Sequence, residues 1–178
     1  MELLEKLQTL NNHLVAKNYK KVIDGCNKIL KKNPNIPYVL NLCGLALQGT
    51  NNILASINCF NKAIEVEPDN IAAMNNLANS YKALSKFDIA EKLYVKILKI
   101  NPKYIRAFNN YGNLKQQIGD FNGCIELYLK ALEIKPNVNI LLSLASAYQE
   151  IGNFKKCKEM ADKALTEQIG RASCRERV

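Results

Sequence analysis

The sequence predicts an all-α fold, a solenoid of stacked antiparallel helix pairs, and three observations carry that prediction. Residues 71–104 and 105–138 are two copies of one pattern: on a shift of 34, Ala73 falls on Ala107, Met74 on Phe108, Asn75-Asn76 on Asn109-Asn110 and Tyr94 on Tyr128. Four of the five prolines, Pro34, Pro68, Pro102 and Pro136, keep the same step. Within a copy, apolar residues recur at three- and four-residue intervals in two runs separated by a turn-prone pair. A fixed period in this range marks repeats that stack on their neighbours.

Five repeats fit, at about 3–36, 37–70, 71–104, 105–137 and 138–168, and together they read as one array over 1–168. The third shows the logic most clearly. Ala73, Met74, Leu77, Ala78, Tyr81 and Leu84 form one amphipathic run, which Asp69-Asn70 is suited to cap. Ser85-Lys86 interrupts, then Phe87, Ala90, Tyr94, Ile97 and Leu98 form a second run closed by Asn101-Pro102. Proline lacks an N–H and turns the preceding residue away from helix. The other expected turns are Lys17-Asn18, Asn51-Asn52, Gly119-Asp120 and Gly152-Asn153. No stretch reads as a strand.

Small residues recur where two helices must approach: Gly44, Ala78, Gly112 and Ala145 in the first helices, and Ala55, Ala90, Cys124 and Cys157 near the starts of the second. Phe60, Tyr81, Tyr94 and Tyr128 are expected to fill the space beside them. These elements resemble the tetratricopeptide repeat family, with its 34-residue helix–turn–helix and its Leu-Gly-x-x-Tyr, Ala-x-x-x-Phe and Pro signature. They stand here as Cys43-Gly44-x-x-Leu47, Leu77-Ala78-x-x-Tyr81, Tyr111-Gly112-x-x-Lys115 and Leu144-Ala145-x-x-Tyr148, with Ser56-x-x-x-Phe60, Ala90-x-x-x-Tyr94 and Cys124-x-x-x-Tyr128. The resemblance covers residues 3–168. Two departures stand out: Leu40, Met74, Phe108 and Leu141 replace the usual Trp, and the first repeat has Leu10 and His13 in place of Gly-x-x-Tyr. The resemblance implies a right-handed superhelix whose first helices line the inner surface, with no cofactor.

Composition narrows the function classes. None of the six cysteines forms a Cys-x-x-Cys pair, and Cys26, Cys43, Cys59, Cys124 and Cys157 fall in apolar slots. Such thiols behave as small hydrophobes and point to a reducing, cytoplasmic setting. The start MELLEKLQTLNN has neither a basic region nor a long apolar run, and no stretch is apolar enough to span a membrane. The only histidine, His13, has no cysteine at zinc-ligand spacing and reads as a polar residue on a terminal helix. No phosphate loop, nucleophile elbow or paired-carboxylate motif is present. The segment is therefore expected to be non-enzymatic, with no metal.

The net charge is +9, with all 21 lysines but only Arg106 of the four arginines in the first 168 residues. The other three lie in Ile169–Val178 (IGRASCRERV), which resembles a translated sequencing adapter and is expected to be a non-native tail. Its three arginines and one glutamate carry +2, leaving +7 without it. Lysine without arginine or an aromatic–basic motif argues against specific nucleic-acid binding and for salt-sensitive attraction to acidic partners. If the chain was cut at Gln168, then Met160, Ala164 and Leu165 should be left partly bare, favouring self-association through that end.

The candidate site is the open face of the first helices: Asn41, Asn75, Asn76, Asn79, Lys82, Arg106, Asn109, Asn110, Asn113, Gln116 and Ser143. A carboxamide both donates and accepts, so a ladder of them suits the main chain of an extended protein or peptide segment. The ladder looks similar to the asparagine-lined superhelix of O-linked N-acetylglucosamine transferase. The Lys/Arg/Asn carboxylate clamp of chaperone-binding members is not matched, since Arg106 stands alone. The expected role is a peptide-binding scaffold. The alternative is the substrate-recruiting arm of a longer glycosyltransferase- or sulfotransferase-type enzyme, and the two readings differ only beyond Gln168.

Overall fold

The computed structural model describes the backbone of residues 2–175 and the side chains of residues 3–168. Among the described residues it contains ten α-helices and no strand. They pair as α1 (Glu2–Val15) with α2 (Tyr19–Lys32), α3 (Pro37–Gly49) with α4 (Ile53–Val66), and α5 (Ile71–Ala83) with α6 (Phe87–Ile100). Then follow α7 (Ile105–Gln117) with α8 (Phe121–Ile134), and α9 (Val138–Glu150) with α10 (Phe154–Arg175). Two compact bodies result, one ending at Ile100 and the other beginning at Asn101.

The five expected turns are all present, and each is built the same way. Their first residues, Lys17, Asn51, Ser85, Gly119 and Gly152, have φ between +57° and +80°. The residue after each donates its N–H five residues back, as from Lys86 to the Tyr81 carbonyl (2.9 Å) and from Asp120 to that of Lys115 (2.9 Å). This closes the first helix with a left-handed residue and satisfies carbonyls the helix leaves open. The second turn residue then starts the next helix: Asn52, Asp120 and Asn153 accept the N–H of Ala55, Gly123 and Lys156. Asn70 caps α5 as the sequence predicts, accepting the Ala73 N–H at 2.9 Å.

In the amino-terminal body each helix packs on the next, and first helices also touch the following first helices, α1 on α3 and α3 on α5. The carboxy-terminal body repeats the scheme, with α7 on α8 and α9, α8 on α9, and α9 on α10. Phe60, Tyr94 and Tyr128 are fully buried, and Leu40, Met74, Phe108 and Leu141 fill the position expected for Trp. A methyl on Gly112 would lie 2.5 Å from the Tyr128 ring, and one on Gly44 would collide with Phe60. Close helix approach at these glycines is therefore a packing requirement. Cys26, Cys43 and Cys124 are buried free thiols, while Cys59 and Cys157 are half-buried.

Two details differ from expectation. The buried small residue at the start of α4 is Ser56, not Ala55, because the 34-residue step back from Ala90 lands on Ser56. Met160 and Ala164 are buried rather than bare, since α10 packs on α9 along that face; Leu165 and Phe154 are exposed. The side chains of Ile169–Val178, the expected non-native tail, lie outside the described residues.

Candidate binding surface on the first helices

In the amino-terminal body, α5 is packed against α3, α4 and α6, and this leaves a narrow outward stripe. Asn76, Asn79 and Lys82 lie on it at helical spacing, all half-buried. Asn75 is the exception to the expected ladder: at 5% exposure it belongs to the interior. Three neighbouring helices cover so wide an arc of α5 that the residue beside Asn76 is already turned inward. Lys82 is partly desolvated, which holds its ammonium below the ordinary lysine range.

Hydrogen bonds stitch this stripe to its surroundings. The Asn76 Nδ2 donates to Asn41 Oδ1 on α3 (2.9 Å), bridging successive repeats. Behind it, Gln48 Nε2 donates to Ser80 Oγ (2.7 Å) and the Asn76 carbonyl (3.2 Å). Ser80 Oγ lies 3.1 Å from Ser56 Oγ, whose hydroxyl donates to the Ile53 carbonyl at 2.7 Å. This chain ties α3, α4 and α5 together through two fully buried serines, which need such partners to be buried at acceptable cost.

Asn79 is held differently. Its Oδ1 accepts the Tyr94 hydroxyl at 2.6 Å. In the carboxy-terminal body the bond recurs one period on, with Tyr128 donating to Asn113 Oδ1 at 2.6 Å and to Gln116 Oε1 at 3.1 Å. Burial pushes the Tyr128 phenol up to about 12 and raises that of Tyr94 as well, so both hydroxyls stay protonated donors at neutral pH. The 34-residue recurrence of these asparagines thus reflects an internal partner fifteen residues on. The second repeat carries the matching signal: Leu45 and Phe60 occupy the same two slots, losing the amide and the hydroxyl together.

The remaining predicted residues lie in the carboxy-terminal body. Asn109, Asn110, Asn113 and Gln116 are half-buried on α7, Arg106 is exposed at its start, and Ser143 is half-buried on α9. Gln116 Nε2 reaches Ser146 Oγ on α9 at 3.2 Å. Lys115 lies 5.5 Å from the Tyr111 ring centre and 3.4 Å from Asp120. Among the described residues no group of three or more His, Cys, Asp or Glu is placed to hold a metal ion. Nor, among those residues, is any helix long and apolar enough to cross a membrane.

Repeated helix hairpins closed by left-handed turns, with small residues at the crossings, define an all-α helical-repeat protein of the protein–protein interaction scaffold type. The chain belongs to the tetratricopeptide repeat family: residues 5–114 match the family described as Psidin, N-terminal TPR repeats region, and residues 105–138 and 138–168 each match Tetratricopeptide repeat. Among curated proteins it is similar to Tetratricopeptide repeat protein 37 of Xenopus laevis, 29% identical over 87 residues. That stretch is 49% of this chain but only 6% of the relative's length. Three crystal structures share the fold. BtubC (BKLC) from P. vanneervenii has a TM-score of 0.83 at 17% identity, covering 96% of this chain and 82% of that one. TTC0263, a thermophilic TPR protein in Thermus thermophilus, has 0.82 at 17%, covering 98% and 95%. MamA has 0.78 at 20%, covering 92% and 96%.

Proposed function

We propose that the protein holds an extended segment of another protein against the amide-bearing faces of its first helices. Asn41, Asn76, Asn79 and Lys82 serve in one body and Arg106, Asn109, Asn110, Asn113, Gln116 and Ser143 in the other. The observation that carries this reading is the orientation of Asn79 and Asn113. Each has its Oδ1 engaged by a buried tyrosine hydroxyl, which fixes the rotamer and leaves the Nδ2 end as a donor toward peptide carbonyls. Donors fixed before binding lose little entropy when the partner arrives. Lys82, already partly desolvated, gains most from a carboxylate on the partner.

The test uses peptides selected from a random display library on the full chain. Replacing Asn76 and Asn110 together by alanine should weaken their binding by about tenfold or more, ~1.4 kcal/mol. Helicity should be unchanged, and loss of the Asn76–Asn41 bond should cost no more than about 1 kcal/mol of stability. Affinity preserved within about twofold (~0.4 kcal/mol) would overturn the reading.

A further inference from the structure

The first repeat breaks the packing rule that the other four obey. Near the start of the first helix those repeats bury Leu40, Met74, Phe108 and Leu141, whereas the first repeat has an exposed lysine, Lys6. One turn on, Leu10 stands where the others have Gly44, Ala78, Gly112 and Ala145. Across from it the sizes are exchanged: Gly25 on α2 takes the place of Cys59, Leu93 and Leu127, and a Cβ there would collide with the Leu10 side chain. The hairpin closes at the Leu10–Gly25 contact and stays open beside it, where no large side chain fills the gap.

The opening is a cleft of about 890 Å³ lined from α1 and α2. Leu3, Leu10 and Ile29 supply its apolar lining, and Lys6, Lys28, Lys31 and Lys32 stand around it with Glu5 as the one carboxylate among the described lining residues. We propose that this cleft is a second binding site, separate from the amide-bearing faces, for a short acidic peptide segment that inserts one large apolar side chain. The side chain takes the place of the residue that Lys6 fails to provide, and flanking carboxylates answer Lys28, Lys31 and Lys32. Leu3 to Leu10 is two helical turns, about 10 Å, so three or four extended residues span the cleft. An apolar lining in a recess fits a side chain better than a bare anion.

The probe is a fluorescein-labelled octapeptide of Glu and Asp flanking a central Phe, with a Phe→Ala control, titrated against the full chain. The Phe peptide should bind, losing about tenfold in affinity between about 50 and about 200 mM salt. The Ala control should bind at least about tenfold more weakly. Lys28→Gln with Lys32→Gln should weaken binding about tenfold, with an unchanged circular dichroism spectrum. Lys6→Leu should supply from within the apolar side chain that the other repeats carry, raising Tm and weakening the preference for Phe over Ala. Equal binding of the two peptides by the unmodified chain, or a Phe preference undiminished by Lys6→Leu, would overturn the assignment. So would binding to vesicles containing phosphatidylserine with no binding of either peptide.

Discussion

Tyr128→Phe and Asn113→Leu, separately and together, test whether the periodic asparagines are held by the tyrosines behind them. Tyr128 is fully buried, and its hydroxyl donates to Asn113 Oδ1 and Gln116 Oε1. Removing the hydroxyl forfeits about 0.5–1.5 kcal/mol per bond. Both acceptors are half-exposed, so water compensates in part and the total should be about 1–2 kcal/mol. Asn113→Leu removes the nearer acceptor, leaves the phenol with Gln116 and Ser143, and should cost about 1 kcal/mol. The double variant recreates the Leu45/Phe60 pairing of the second repeat. It should therefore cost about 1 kcal/mol less than the sum of the singles. Urea unfolding of the full chain, followed by circular dichroism with m-values compared, measures all four corners of the cycle. Additivity within about 0.3 kcal/mol would refute the coupling.

Three further outcomes are expected. Ser85→Gly should stabilise the chain by about 0.5–1 kcal/mol, because Ser85 holds φ +57° and only glycine adopts that region without strain; urea unfolding reads it directly. Gly112→Ala should cost about 1–3 kcal/mol, since its methyl would meet the buried Tyr128 ring at 2.5 Å, and an unchanged midpoint would contradict the packing argument. Burial raises the folded-state pKa of Tyr128 to about 12, so the neutral phenol stabilises the fold fully below the unfolded value of about 10. That stability should drain away as pH rises from about 10 to about 12, and Tyr128→Phe should flatten the decline.

Most of the fold was legible because its determinants are local. Pro34, Pro68, Pro102 and Pro136 end helices by chain geometry alone, and Lys17, Asn51, Ser85, Gly119 and Gly152 sit at one position of one turn. The candidate surface was legible only as a stripe. Spacing places Asn75, Asn76 and Asn79 on one helix, but the width of the buried arc depends on how many helices pack against α5, and that decides Asn75. A recurring asparagine reads alike whether its amide faces solvent or a tyrosine hydroxyl. The distinguishing sign was the joint change to Leu45 and Phe60, which needs the two slots to be read as a pair. Met160 and Ala164 are buried against expectation for a related reason: which face of the last helix is covered depends on where α9 lies.

Nitrogen-15 NMR of the side-chain amides during titration with a library-selected peptide tests the central proposal most directly. Binding along the first helices should shift the Nδ2 resonances of Asn76, Asn79, Asn110 and Asn113 and leave those of Asn27 on α2 and Asn122 on α8 in place. Shifts confined to the second helices and turns, with those four amides unmoved, would contradict it.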